Sequence, residues 1–221
     1  MRARALAVLF DLDGTLIDSA PDLAGAANDM RVARGLEPLP IAQLRPMVGA
    51  GARGMVGRTF GVSPGAPTFE ALRDEFLARY EARMTQETRV FDAVRPLLAA
   101  LQAHALPWGI VTNKAARFAE PLVAALGLDT VAATLVCGDT TPHAKPHPAP
   151  LVEAARRMST AAAHCVYVGD DLRDVQAGRA AAMATLAAAW GYLGEGDHIE
   201  AWGADQVIQS PLELLTWLGL A

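Results

Sequence analysis

Two aspartates stand where an apolar run stops. Residues 6–10 are apolar, and Asp11 and Asp13 follow in the stretch VLFDLDGT. Burying a carboxylate is costly unless something compensates it. The pair is therefore either an ordinary solvated turn or a device for chemistry. In an extended segment, residues two apart project the same way, so both acids can face one reacting group. A second acidic stretch, GDDLRD, places Asp170 and Asp174 four apart at the start of a helical pattern, with Asp171 between them; that spacing puts Asp170 and Asp174 on one face. Thr112, Asn113 and Lys114 follow another apolar run, and Lys145 precedes a proline.

These residue types imply phosphate chemistry. A carboxylate cluster repels itself unless a cation joins it. Oxygen-only ligands suit Mg²⁺, which takes one or two carboxylates together with waters and substrate phosphate. Lys145, the Thr112 hydroxyl and free backbone amides supply donors for phosphate oxygens. An aspartate beside such a site can be a nucleophile and form an aspartyl-phosphate. A second carboxyl nearby can protonate the leaving oxygen and then activate water.

The elements needed to position these groups can be read from hydrophobic periodicity. Short apolar runs at 6–10, 108–112, 134–137, 165–168, 184–188 and 206–208 read as strands, several covered on both faces. Helical patterns at 115–126, 149–158, 171–181 and 211–218 separate most of them. Strand alternating with helix predicts an α/β fold with a doubly wound parallel sheet. Chemistry in such sheets sits beyond the carboxyl ends of the strands, where Asp11, Thr112 and Asp170 all fall.

One stretch breaks the alternation. Residues 19–85 carry helical patterns and no convincing strand, with Pro21 and Gly35 bracketing the first helix. The expected organisation is an α/β core of residues 1–18 and 86–221, with a small helical cap of residues 19–85 inserted after the first strand. A cap there would hang over the strand ends. Within it, Gly49-Ala50-Gly51-Ala52-Arg53-Gly54 matches GxGxxG literally but lacks the preceding strand that dinucleotide binding requires. The favoured reading is a flexible cap loop with Arg53 facing the substrate; the alternative is a glycine-rich helix that packs closely.

Composition narrows the function classes. The net charge of −5 argues against a broad nucleic-acid-binding face. No uncharged apolar stretch approaches the roughly 18 residues of a membrane span. The opening MRARALAVLFD echoes a signal peptide only faintly, because its acids interrupt the apolar run. Cys137 and Cys165 read as buried free thiols of a cytoplasmic protein.

Taken together, DLDGT, VTNK, AKPHP and VGDDLRD resemble the four motifs of the haloacid dehalogenase superfamily of phosphohydrolases, over essentially the whole chain. The resemblance implies a Rossmann-like core with a cap and a Mg²⁺-dependent phosphatase acting on a small phosphorylated metabolite. It makes Asp11 the nucleophile and Asp13 the acid/base. Asp11, Asp170 and the Asp13 carbonyl become metal ligands. Thr112, the Asn113 amide and Lys145 become phosphate binders, and Asp174 a carboxylate steadying the lysine and metal waters. Asp171 stands where many phosphoglycolate-phosphatase-like members have serine. Within that group, the stretches GARGMV, WGIVTNKAARFAEP, WGYL and WGAD are similar to bacterial N-acetylmuramic acid 6-phosphate phosphatases of cell-wall recycling; phosphoglycolate or another small sugar phosphate is the alternative substrate. A receiver-like phospho-aspartate switch uses comparable residues, but it would not need a cap. The oligomeric state, monomer or homodimer, is left open.

Overall fold

The first strand, β1 (Ala7–Phe10), lies at the middle of the molecule. A computed structural model describes residues 5–220 of the chain. After β1 come β2 (Ile17–Asp18) and four helices, α1 (Ala20–Val32), α2 (Ile41–Leu44), α3 (Gly51–Phe60) and α4 (Phe69–Glu81). The alternating part then runs β3 (Arg89–Val90), α5 (Val94–Ala103), β4 (Trp108–Val111), α6 (Ala116–Ala125), β5 (Leu135–Val136) and α7 (Ala149–Arg157). It closes with β6 (Cys165–Gly169), α8 (Leu172–Ala180), β7 (Ala184–Ala188), β8 (Gln206–Ile208) and α9 (Glu213–Leu218).

Six strands form one parallel sheet in the order β5-β4-β1-β6-β7-β8. The expected strands are all present, two of them with identical bounds. The period of two along β1 sorts its side chains between faces. Val8 and Phe10 join Ile110, Val166 and Leu186 beneath α5, α6 and α9. Ala7 and Leu9 join Val136 and Tyr167 beneath α7 and α8. Apolar residues on both faces are what a covered parallel sheet requires. Cys137 and Cys165 are free and buried, as expected, and burial pushes each thiol up to about 11.

The four helices between β2 and β3 bury a cluster of their own, including Leu23, Met30, Met55, Phe76 and Tyr80. Phe118 of α6 and Tyr192 of the loop after β7 complete that cluster from the sheet side. The chain enters and leaves the insertion through an antiparallel pair, Ile17 opposite Val90 and Asp18 opposite Arg89. Asp22, fully buried in the first turn of α1, accepts from the Glu87 and Thr88 amides at 3.0 and 2.8 Å and from the Thr88 hydroxyl at 2.8 Å. One carboxylate thus ties the outgoing chain to the returning one. Among the described residues, no helix is long and apolar enough to cross a membrane.

Candidate active site

Three neighbouring strands end together. Phe10 of β1 lies opposite Ile110 of β4 on one side and Val168 of β6 on the other. The residues just past these ends, Asp11, Thr112 and Asp170, therefore reach one sheet edge. Lys145 arrives from the loop after β5. Asn113 clamps that loop, its amide donating to the Lys145 carbonyl at 3.0 Å and its carbonyl accepting from the Lys145 N–H at 2.9 Å.

The Lys145 ammonium is buried and has three aligned acceptors, matching its three protons. They are Val111 O at 3.1 Å, Tyr167 Oη at 2.8 Å and Asp174 Oδ1 at 2.7 Å. Asp11 Oδ1 is a fourth neighbour, 2.9 Å from the nitrogen. It feels the charge but receives no aligned hydrogen bond, and it is buried. Burial opposes the charge on Lys145, yet Asp11 and Asp174 outweigh it and its pKa is raised. Burial also pushes the Asp11 carboxyl up to about 7; Lys145 pulls against the rise, and Asp174 and Asp13 add to it.

Asp170 accepts from Thr15 Oγ1 at 2.7 Å and from the Tyr192 N–H at 2.8 Å. A Cβ on Gly14 or Gly191 would collide with its side chain, so two glycines let the backbone close around this acid. Burial, then the charges of Asp11 and Asp174, lifts its pKa well above the carboxylate range. Oxygens of Asp11, Asp170 and Asp174 lie within 4.8 Å of one another. Three acids face one ammonium, and one buried acid oxygen lacks a hydrogen bond. That donor set fits a hard divalent cation. Asp174 is already occupied by Lys145 and by the Asp171 N–H at 3.1 Å. The freer ligands are Asp11 and Asp170.

Asp13 faces the insertion. Its Oδ1 accepts from Lys114 Nζ at 3.0 Å and from the Ser19 hydroxyl. The Lys114 ammonium sits 4.8 Å from the centre of the Tyr80 ring, which α4 contributes. Burial works against Lys114, but Asp13 and Tyr80 outweigh it and raise its pKa. Thr112 is buried, and its hydroxyl accepts from the Lys114 N–H at 3.1 Å.

Asp171 caps α8, accepting from the Arg173 N–H at 2.9 Å, while Asp174 bonds back to complete a capping box. Asp170 therefore precedes the helix instead of sharing a helical face with Asp174; the β6–α8 turn brings them together. The Asp171 carboxylate also holds the Arg173 guanidinium in a fork, at 2.7 Å from both Nε and Nη2. Arg173 donates onward to the Gly49 carbonyl of the insertion. The residue that departs from serine is thus one end of a strut between sheet and insertion.

Asp11, Asp13, Thr112, Asn113, Lys145, Asp170, Asp171 and Asp174 all line one cavity of about 330 Å³. Arg53 does not line it. The expected loop is helix α3, and Arg53 is exposed in its first turn, whereas Met55, Val56 and Thr59 turn inward. The glycines serve contact: a Cβ on Gly54 would meet the Ala50 side chain and stand 3.0 Å from the Met47 carbonyl. Close packing, not loop mobility, explains the GxGxxG match, and no strand precedes it. The positioning residues Thr15, Lys114 and Tyr167 escaped sequence reasoning. Lys114 could have been found from its place beside Thr112 and Asn113. Tyr167 is the one polar side chain in the apolar run CVYVG.

Comparisons with known proteins agree with this geometry. Residues 8–188 match the model of the family described as haloacid dehalogenase-like hydrolase. The chain is 42% identical over 220 residues to the N-acetylmuramic acid 6-phosphate phosphatase of Pseudomonas aeruginosa, covering 100% of this chain and 97% of that one. It is 47% identical over 209 residues to a phosphoglycolate phosphatase of Xanthomonas campestris, covering 94% of each. The crystal structure of a predicted phosphoglycolate phosphatase from Haemophilus somnus superposes with a TM-score of 0.85 at 25% identity, over 97% of this chain and 98% of that one. With four strand-end motifs gathered at one cavity and the family match spanning most of its length, the chain belongs to the haloacid dehalogenase-like hydrolases and is one of their phosphatases.

Proposed function

We propose that this phosphatase is a cytoplasmic, Mg²⁺-dependent enzyme that works through an aspartyl-phosphate on Asp11, and that its substrate is N-acetylmuramic acid 6-phosphate. The observation carrying the mechanism is Asp11 Oδ1. Its carboxylate stands at the end of the central strand and lines the cavity, with the Lys145 ammonium 2.9 Å from this oxygen. A carboxylate that lines the cavity beside a cation can serve as the nucleophile. It attacks phosphorus, the bond to the alcohol oxygen breaks, and the leaving oxygen takes a proton from Asp13. Asp13 then accepts a proton from water, whose oxygen attacks the same phosphorus, freeing inorganic phosphate and restoring Asp11. The Lys145 charge attracts the phosphoryl group, and the Thr112 hydroxyl and the Asn113 amide donate to its oxygens. Asp174, Tyr167 and the Asn113 side chain position Lys145. Asp11, Asp170 and the Asp13 carbonyl would hold Mg²⁺, which when bound neutralises charge on the transferring group.

The substrate reading rests on the Pseudomonas relative and on the cavity. Besides the charged residues, the lining includes Leu23, Val48, Phe76, Leu77, Tyr80 and Phe118. A ring-sized alcohol can bury against that wall, and phosphoglycolate cannot fill it. The Xanthomonas relative favours phosphoglycolate as the second reading. Measuring kcat/KM for both esters tests the assignment. The value for N-acetylmuramic acid 6-phosphate is expected to be the higher; a preference for phosphoglycolate reassigns the substrate. Acid-quenched turnover should trap a phosphoenzyme that a cold chase clears; a persistent one would favour the switch.

A further inference from the structure

Four cationic side chains line the cavity, and three already have carboxylate partners. Lys145 lies against Asp11 and Asp174, Lys114 against Asp13, and Arg173 against Asp171. The fourth is Arg117, in the first turn of α6, exposed at the cavity mouth. Its guanidinium has no carboxylate within ion-pair reach among the described residues. It lies over the Phe118 ring, 4.3 Å from the centre. Stacking on a buried aromatic restricts a flexible side chain and presents the guanidinium edge outward. The charge is thus oriented but uncommitted.

A second observation on the same wall points to a polar ligand. Tyr80 is 2% exposed, lines the cavity and packs against Phe118 with ring centres 5.6 Å apart. Its hydroxyl is buried beside the Lys114 ammonium and has no other hydrogen-bond partner. An ammonium can only donate, so the hydroxyl keeps its own proton to offer a ligand. A hydroxyl with a proton to donate and a guanidinium without a carboxylate therefore flank one aromatic ring.

We infer that Arg117 is a specificity-determining residue that binds a carboxylate carried by the leaving alcohol, so that the substrate class is carboxylate-bearing phosphomonoesters. This rests on the phosphatase reading of the site and deepens it. A planar guanidinium matches a carboxylate with two parallel hydrogen bonds. A second phosphate, with twice the charge, would call for more than one free cation, and the other cavity cations are occupied. The Tyr80 hydroxyl serves a neutral polar atom between the two anionic ends.

The test compares two sugar phosphates differing in one feature. N-acetylmuramic acid 6-phosphate carries a lactyl carboxylate, and N-acetylglucosamine 6-phosphate is the same ring without it. Phosphoglycolate supplies a small carboxylated arm. In Arg117→Ala, the ratio of kcat/KM for either carboxylated ester over N-acetylglucosamine 6-phosphate should fall about 10- to 100-fold, mainly through KM. Arg117→Lys should recover part of the ratio, since it keeps the charge but not the fork. The same drop should appear as weaker binding of N-acetylmuramic acid 6-phosphate to the Asp11→Asn protein when Arg117→Ala is added. Thermal unfolding of each variant checks the fold. An unchanged ratio overturns the inference while leaving the phosphatase intact. A wild type that hydrolyses none of the three esters overturns the reading beneath it.

Discussion

At the strand-end side of the cavity, Lys145 has as many aligned acceptors as protons, Asp170 is gripped by Thr15 and the Tyr192 amide, and Asp174 is bonded from two directions. Around Phe76, Tyr80 and Phe118 the wall is mostly apolar, the Tyr80 hydroxyl has only Lys114 beside it, and Arg117 of α6 has no carboxylate partner. Apart from Asp11 Oδ1, the first region is saturated with internal partners; the second leaves polar groups for a ligand. A reaction centre must hold reacting atoms in fixed geometry, which cross-linked charges provide. A specificity surface gains by leaving groups unsatisfied until the right molecule arrives. Substitutions in the two regions should therefore differ in kind.

The largest effect belongs to Asp11→Asn. It removes the nucleophile from the saturated region, and turnover should fall on the order of 10⁴-fold or more for every ester. Circular dichroism should show the fold retained; activity within tenfold of wild type would end the covalent mechanism. Lys145→Met leaves Asp11 and Asp174 buried without their cation. Breaking such a pair from one side costs about 3–5 kcal/mol, read as a lower urea midpoint in metal-free protein. A loss no greater than that of a surface variant would show the region is not saturated as described.

The same acids give a pH signature. Asp11 moves from the ordinary 3.8 to about 7 in the folded protein, and Asp170 rises too. Between those limits the folded state holds protons that the unfolded chain has released. Stability of the metal-free protein therefore falls as pH rises from 3.8 to about 7. Mg²⁺ should restore it, raising Tm more at about pH 8 than at about pH 5, where protons compete for the ligands. Calorimetry with and without a chelator measures both.

Smaller effects fall on the other side. Leu77→Ala opens the apolar wall and should lower kcat/KM for the amino-sugar phosphate by roughly tenfold relative to phosphoglycolate. Equal loss on both would mean Leu77 supports the fold alone. Smallest is Arg58→Ala, which breaks an exposed pair with Glu195 linking the insertion to the loop after β7. Exposed pairs contribute less than about 1 kcal/mol, so Tm should move by at most a few degrees.

The sheet and most of the charged site could be read from the chain because each left a local trace. Residues 7–10 are apolar on both faces, and Asp11 interrupts them. The pair β2 and β3 left none: strands of two residues have no period to detect, and their partners lie about seventy positions apart. Lys114 was visible in sequence, yet its partner Asp13 is 101 positions away, so nothing local marked the pair. Arg53 misled because glycines signal both loops and close helix packing; only the Gly54 contact distinguishes them. Arg117 reads as one charge on a helix face until the cavity shows that every other cation is paired.

The staple formed by Asp22 has a consequence on a longer timescale. Because the outgoing and returning chains are tied side by side, the backbone passes from core to insertion and back through a doorway one residue pair wide. Cα atoms facing each other across such a pair are about 4.5–5.5 Å apart, a gap that a tight turn can close. The length and shape of what lies beyond the doorway are thereby uncoupled from the spacing of the strand ends. An insertion of another size could join at the same doorway while Asp11 and Asp170 keep their positions.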